Sequence, residues 1–244
     1  MTDPQEPNGI AEPAGPPEPA GSPDPAGSAD PVGREREVGV GPHPEPWPED
    51  PRLDPELLAG GDRRNVVDRY RYWRREAIIA DLDAHRTELH VAIENLEHDA
   101  NIGSIVRTAN AFAVGAFHIA GRRRWNRRGA MVTDRYQHEM HHPDAADLAR
   151  WAHEEGRPLI AIDILPGARP LESARLPERA VLVFGQEGPG ISPELLAVCD
   201  DVLEITQLGS TRSLNVAAAA AIAMHTWMRQ HALGGEGTAG TSAR

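Results

Sequence analysis

The stretch that most restricts how this chain can fold is residues 204–227, EITQLGSTRSLNVAAAAAIAMHTW. An alternating apolar segment with Val202 and Ile205 runs into a polar turn, Gly209-Ser210-Thr211-Arg212-Ser213. A run with six alanines between Ala217 and Ala223 follows. Alanine joins the best helix propensity to the least bulk, so other backbone can approach this helix closely. Ile222, Met224, Trp227 and Met228 leave it apolar almost all round, the pattern of a buried helix. Ser213 and Asn215 precede its first turn, where unpaired N–H groups point into the loop before it. Strand, polar loop and small-residue helix together build a pocket floor. Taken alone, the same order also fits an ordinary strand-to-helix connection.

Upstream, strands and helices alternate. LHVAIENL reads as a buried strand, residues 102–112 as a helix, VGAFHIA as a strand and residues 147–155 as an amphipathic helix stopped by Gly156. RPLIAIDI and AVLVF give two more strands, and Pro193 opens a further helix at its first turn. Such alternation argues for an α/β fold with a mostly parallel sheet.

The ends read differently. Residues 1–50 hold more than half of the 22 prolines, almost no large apolar side chain, and eleven Asp/Glu against two Arg. That composition cannot bury enough surface to offset its ordering entropy. Residues 1–60 are therefore expected to be a disordered acidic tail and linker, and residues 234–244 a second disordered tail. Between tail and sheet, residues 61–88 are expected to form an Arg-rich helix capped by Asp62. Val66, Tyr70, Trp73, Ala77 and Ile78 fall at helical spacing on one face, and Arg63, Arg64, Arg69, Arg71, Arg74 and Arg75 on the other. That face suits RNA contact or plain solvation equally.

From residue 51 onward 26 acidic residues face 23 basic ones, so the low pI belongs mainly to the tail and does not exclude an RNA partner. Every basic residue is Arg, as GC-rich coding would give. The sequence GRRRWNRRG sets Arg122, Arg123, Arg124, Arg127 and Arg128 around Trp125 just after a strand, the better nucleic-acid candidate. His138, His141, His142 and Asp144 match no standard zinc spacing, so no metal is expected there and polar or RNA-facing roles are favoured. A single cysteine, Cys199, excludes an internal disulfide framework. With no leader and no bilayer-spanning run, the expectation is a reduced, cytoplasmic protein with neither membrane nor DNA as partner.

Chemistry gathers in three loops, each after a strand, where open α/β sheets bind ligands. They are Asn101-Ile102-Gly103 leading to Arg107, then Gly185-Gln186-Glu187-Gly188-Pro189-Gly190, then residues 205–216. The second lacks the G-x-G-x-x-G order of a dinucleotide loop, which disfavours a Rossmann-type nucleotide enzyme. In this order and spacing, NIGSIVRTANAF, LVFGQEGPGIS and ITQLGSTRSLNVAAA resemble the three motifs of the SpoU (TrmH-like) branch of the SPOUT methyltransferases, over roughly residues 89–228.

The resemblance implies a methyltransferase domain, here residues 89–233, whose C-terminal segment makes a trefoil knot, a rare exception to unknotted topology. It implies a homodimer that moves a methyl group from S-adenosylmethionine to a ribose 2′-oxygen in RNA. The lack of a separate RNA-binding domain leans the substrate towards tRNA over rRNA, and a non-catalytic RNA-binding protein with the same fold is the alternative. Carried over by position, Arg107 is the catalytic arginine and Asn101 its positioning partner. Glu187 is the motif-two carboxylate, and Ser213 and Asn215 are the polar pair of motif three. Gly185, Ile205 and Leu214 hold the cofactor, with Ile162 and Asp163 as weaker carry-overs. Arg107 acts either as a general base or as a charged clamp on a substrate phosphate. Two departures stand out: Glu97-His98-Asp99-Ala100 where Asn-Pro is common, and Thr206-Gln207 where Pro-Met is common.

Overall fold

Seven short strands make the centre of the structure, and the four inner apolar segments 90–94, 116–120, 159–162 and 181–184 are buried throughout. This is a computed structural model that describes residues 39–121, 125–130 and 133–233, with the side chains of residues 128 and 129 excepted. In chain order the elements are α1 (Pro55–Gly60), α2 (Arg75–Asp83), β1 (His90–Glu94), α3 (Asp99–Ala111), β2 (Ala116–Ala120) and β3 (Glu139–His142). There follow α4 (Ala145–Glu154), β4 (Leu159–Ile162), β5 (Arg169–Pro170), β6 (Val181–Phe184), α5 (Pro193–Leu196), β7 (Asp201–Glu204) and α6 (Val216–His231). The strands form one sheet in the order β3-β2-β1-β6-β4-β7-β5, and every pairing is parallel.

Side chains alternate across each strand, and the two faces build two cores. Val91, Ile93, Phe117, Ile160, Leu182 and Phe184 pack with Ile105 and Val106 of α3 and with Ala223, Met224 and Trp227 of α6. On the other face Ala92, Ala161, Val181 and Val183 meet Leu148 and Ala152 of α4 and Leu195 of α5. The late strand β6 enters between β1 and β4. The chain reverses its direction of growth across the sheet there, and the loops after β4, β6 and β7 become neighbours at one end.

Three expectations change. The alanine-rich helix α6 is buried on one side only: Ala220, Ala223, Met224 and Trp227 are covered, while Ala218 and His225 are exposed and Ile222 is 42% exposed. Its small residues let it sit close to α3, but one chain supplies no cover for the opposite side.

The Arg-rich segment is not one helix, since only Arg75–Asp83 is α-helical. The fully buried Asp62 carboxylate organises what precedes it, accepting from Arg64 Nε at 2.9 Å, Arg64 Nη2 at 2.6 Å and the Tyr72 amide at 2.9 Å. Arg71 donates to the Arg64 carbonyl at 2.7 Å. Tyr72 adopts a φ of 63°, which no helix allows. Arg64 and Arg71 thus hold the turn together and are not available to RNA.

Residues 39–60, expected as tail and linker, are also folded. Val40 and Asp62 exchange backbone hydrogen bonds at 2.9 Å, Asp54 caps α1, and the Arg52 guanidinium lies 4.3 Å from the Trp73 ring centre. The rest of the expected acidic tail, residues 1–38, and the C-terminal tail, 234–244, lie outside the described residues.

Strand β3 falls where the sequence offered only a histidine cluster. His142 is buried and joins a ladder across three strands: His90 Nδ1 to His118 Nε2 at 2.9 Å, and His118 Nδ1 to His142 Nε2 at 2.9 Å. His142 Nδ1 ends it on the Asp147 carboxylate at 3.0 Å. A carboxylate only accepts, so His142 donates to it from Nδ1, and in each imidazole pair one ring nitrogen donates to the other. Trp151 of α4 covers the ladder, 4.2 Å from the His118 ring. His138 instead pairs with Asp83 at 2.8 Å, so the four candidates do not share one site.

Candidate active site

The loops after β4, β6 and β7 enclose a pocket of about 330 Å³ together with the start of α6. Its apolar wall is Ile162, Phe184, Ile205, Leu214, Val216 and Ala219, and its polar rim includes Asp163, Glu187, Gln207, Ser213 and Asn215. The floor is the glycine loop that leaves β6. Gln186 and Gly190 bond to each other through their backbones, at 2.9 and 3.1 Å, and close a tight turn. Gly190 has a φ of +77°, and Asp163 Oδ2 accepts from the next amide, Ile191, at 2.9 Å. Asp163 therefore ties the β6 loop to the end of β4, which the sequence gave little reason to expect of a single Asp after a strand.

Gly185 has no room for a side chain. A Cβ there would stand 2.2 Å from the Gly190 carbonyl carbon and 2.2 Å from the Ile191 nitrogen. Alanine must push the loop into the pocket, so Gly185→Ala is expected to cost about 1–3 kcal/mol, as over-packing does, and to abolish ligand binding. Denaturant unfolding and calorimetric titration of the variant check both; full binding at wild-type stability would refute the close packing.

A relay of side chains fixes the mouth. The Glu187 carboxylate accepts from the Glu97 amide at 2.7 Å, the His98 amide at 3.4 Å and Asn101 Nδ2 at 2.8 Å. Asn101 Oδ1 accepts in turn from Asn215 Nδ2 at 3.0 Å, and Asn215 Oδ1 caps α6 at the Ala217 and Ala218 amides. Partial burial works against ionisation of Glu187, but these donors win and hold its carboxyl below the usual range. The first turn of α3 and the loops after β6 and β7 contribute one member each, so the relay locks these three segments together.

Of the residues singled out from sequence, Gly185, Glu187, Ile205, Ser213, Leu214 and Asn215 line the pocket, and Asn101 is bonded to two of them. Arg107 does not line it. It is exposed on α3, six residues past Asn101 and so about 9 Å along the helix axis. Arg127 is held by Glu139 at 2.9 Å and Asp134 at 3.4 Å, so two carboxylates already claim its charge. Arg122, Arg123 and Arg124 and the side chain of Arg128 lie outside the described residues. Sequence reasoning missed the role of Gln186 and Gln207 in the lining, since a lone amide in a loop carries no spacing signal.

The pocket fits an adenosine-sized cofactor. Its lining joins apolar side chains to a few polar groups, and its glycines admit close backbone approach.

The sequence pattern of the family described as SpoU rRNA Methylase matches residues 88–225. A tRNA (guanosine(18)-2′-O)-methyltransferase of Thermus thermophilus is 29% identical over 165 residues, 64% of this chain and 82% of the relative. The enzyme of the same name from Escherichia coli is 27% identical over 160 residues, 64% of this chain and 70% of the relative. Among solved structures, the A. aeolicus TrmH/SpoU tRNA modifying enzyme superposes with a TM-score of 0.59 at 22% identity, over 66% of this chain and 84% of that one.

Proposed function

The chain belongs to the SpoU rRNA methylase family, and on that premise we propose that it transfers a methyl group from S-adenosylmethionine to a ribose 2′-hydroxyl of tRNA. The observation that carries this reading is the relay Glu187–Asn101–Asn215 at the mouth of a glycine-floored pocket, built from three segments distant in sequence. The relatives named above support tRNA as the substrate class.

When bound, S-adenosylmethionine supplies an electrophilic methyl on a sulfonium centre. The chain's own task is to bring the ribose oxygen into line with it, and good alignment can contribute about 7–11 kcal/mol. Gly185, Ile205 and Leu214 fix the donor side, while Glu187 and Asn101 hold the acceptor side rigid. As the oxygen gains the methyl it gives up its proton. Arg107 either takes that proton, or stays charged, pairing with a substrate phosphate and stabilising negative charge on the oxygen while the proton passes to solvent water. Ser213 and Asn215 offer further polar contacts to the ribose.

The working unit in this reading is a cytoplasmic homodimer. In support, α3 and α6 pack together and leave Arg107 and Ser104, and Ala218, Ile222 and His225, exposed. Leu208 and Ile164 are 96% and 45% exposed beside the pocket. A second copy on this face would cover those apolar groups and add charge near the mouth. No helix among the described residues is long and apolar enough to cross a membrane. The insertion of β6 between β1 and β4, with α6 returning against α3 and β6, fits the expected knot. The arginines of residues 122–128 remain the favoured RNA-backbone contacts, with Arg127 the weakest of them for its two carboxylate partners.

Tritium-labelled donor mixed with separated tRNA and rRNA tests the proposal. Label is expected in tRNA, in a nucleoside that resists alkaline cleavage at its 3′ side. Label confined to rRNA would move the substrate, and label in neither would overturn the activity.

A further inference from the structure

Among the polar groups on the pocket rim, one stands apart. Asp163 accepts from the Ile164 and Ile191 amides, Glu187 from Asn101 and the Glu97 amide, and Asn215 serves Asn101 and α6. The Gln207 side-chain oxygen is shielded from solvent and has no hydrogen-bond partner among the described residues. A buried acceptor left unmet is destabilising, so such a group persists where a ligand meets it. It lines the pocket together with the apolar side chains of Ile205, Leu214, Val216 and Ala219.

We propose that Gln207 is the base-recognition residue for the methyl donor: its amide oxygen accepts from the exocyclic N6 amine of adenine, and its amide nitrogen faces a ring nitrogen. Glutamine matches adenine in this way because adenine sets a donor beside an acceptor on one edge. On the edge that carries N6 and N7 a hypoxanthine ring instead sets two acceptors, O6 and N7, side by side, so neither orientation of the amide matches it. The inference rests on the cofactor reading above and adds to it a side chain that selects the base.

The experiment titrates S-adenosylhomocysteine and its inosine analogue, S-inosylhomocysteine, into wild type, Gln207→Leu and Gln207→Glu by calorimetry. Wild type should prefer the adenosyl ligand by roughly 5- to 100-fold. Gln207→Leu should lose affinity for the adenosyl ligand by a similar factor and lose most of the preference. Gln207→Glu still offers an acceptor and should keep more of the affinity than Gln207→Leu. Without ligand, Gln207→Leu should melt at or above the wild-type temperature, because it removes an unmet polar group. Unchanged affinity and preference in Gln207→Leu would overturn the assignment while leaving the cofactor reading standing. Wild type that binds neither ligand would end both.

Discussion

Arg107→Ala is expected to slow methyl transfer by about 10²- to 10³-fold, the usual loss when one group facing developing charge is removed. Donor affinity should stay within about twofold, because Arg107 lies outside the pocket lining. The split between rate and binding is the informative part. Single-turnover tritium transfer gives the first quantity and titration with S-adenosylhomocysteine the second. A parallel fall in both would make Arg107 a support for the loops. Arg107→Lys then separates the two roles: a charge clamp keeps part of its function in lysine, and the pH–rate profile barely moves. A general base would shift that profile towards the pKa of the new amine.

The second large effect is on stability, and it concerns the histidine ladder. Burial pushes His90 down to about 3 and His118 down to about 2, helped at His90 by Arg157 and Arg179 and at His118 by its two neighbouring imidazoles and Arg157. In the unfolded chain each titrates near the ordinary value of 6.5. Below that pH the unfolded chain binds two protons that the folded one refuses, so acid favours unfolding. Each group contributes about 1.4 kcal/mol per pH unit, so the slope is about 2.7 kcal/mol per unit between pH 6.5 and the folded values. At pH 5 the loss is on the order of 4 kcal/mol, a large part of a typical domain's stability. Denaturant midpoints at pH 7.5, 6.5, 5.5 and 5.0 check it. A flat profile down to pH 5 would mean that the ladder opens to water or accepts a proton. Glu187 and Asp62, both held below the usual carboxylate range, add to acid sensitivity only at lower pH.

Much of this was legible in the chain. Near-continuous apolar runs marked β1, β4 and β6, because strands covered on both faces need them. The alanine run marked α6, and two of the three short motifs marked loops that line the pocket. Local chemistry sufficed there: Asn215, Ser192 and Asp144 cap the helices that follow them, through hydrogen bonds that span only two or three residues. Propensity and spacing are properties of neighbours in sequence, so they read true wherever structure is decided by neighbours.

What failed was decided at a distance. The spacing of Val66, Tyr70 and Trp73 suited a helix, but the buried carboxylate of Asp62 drew in Arg64 and the Tyr72 amide and bent the segment into turns. His90, His118 and His142 lie far apart in sequence, and only the register of three parallel strands stacks them. Glu187, Asn101 and Asn215 could be named one by one, but their contact requires β6 to enter between β1 and β4. The sequence determined which groups were present and how each short segment would fold. The sheet order decided which of them met, because a hydrogen bond needs its partners within about 3 Å and no local pattern encodes that distance.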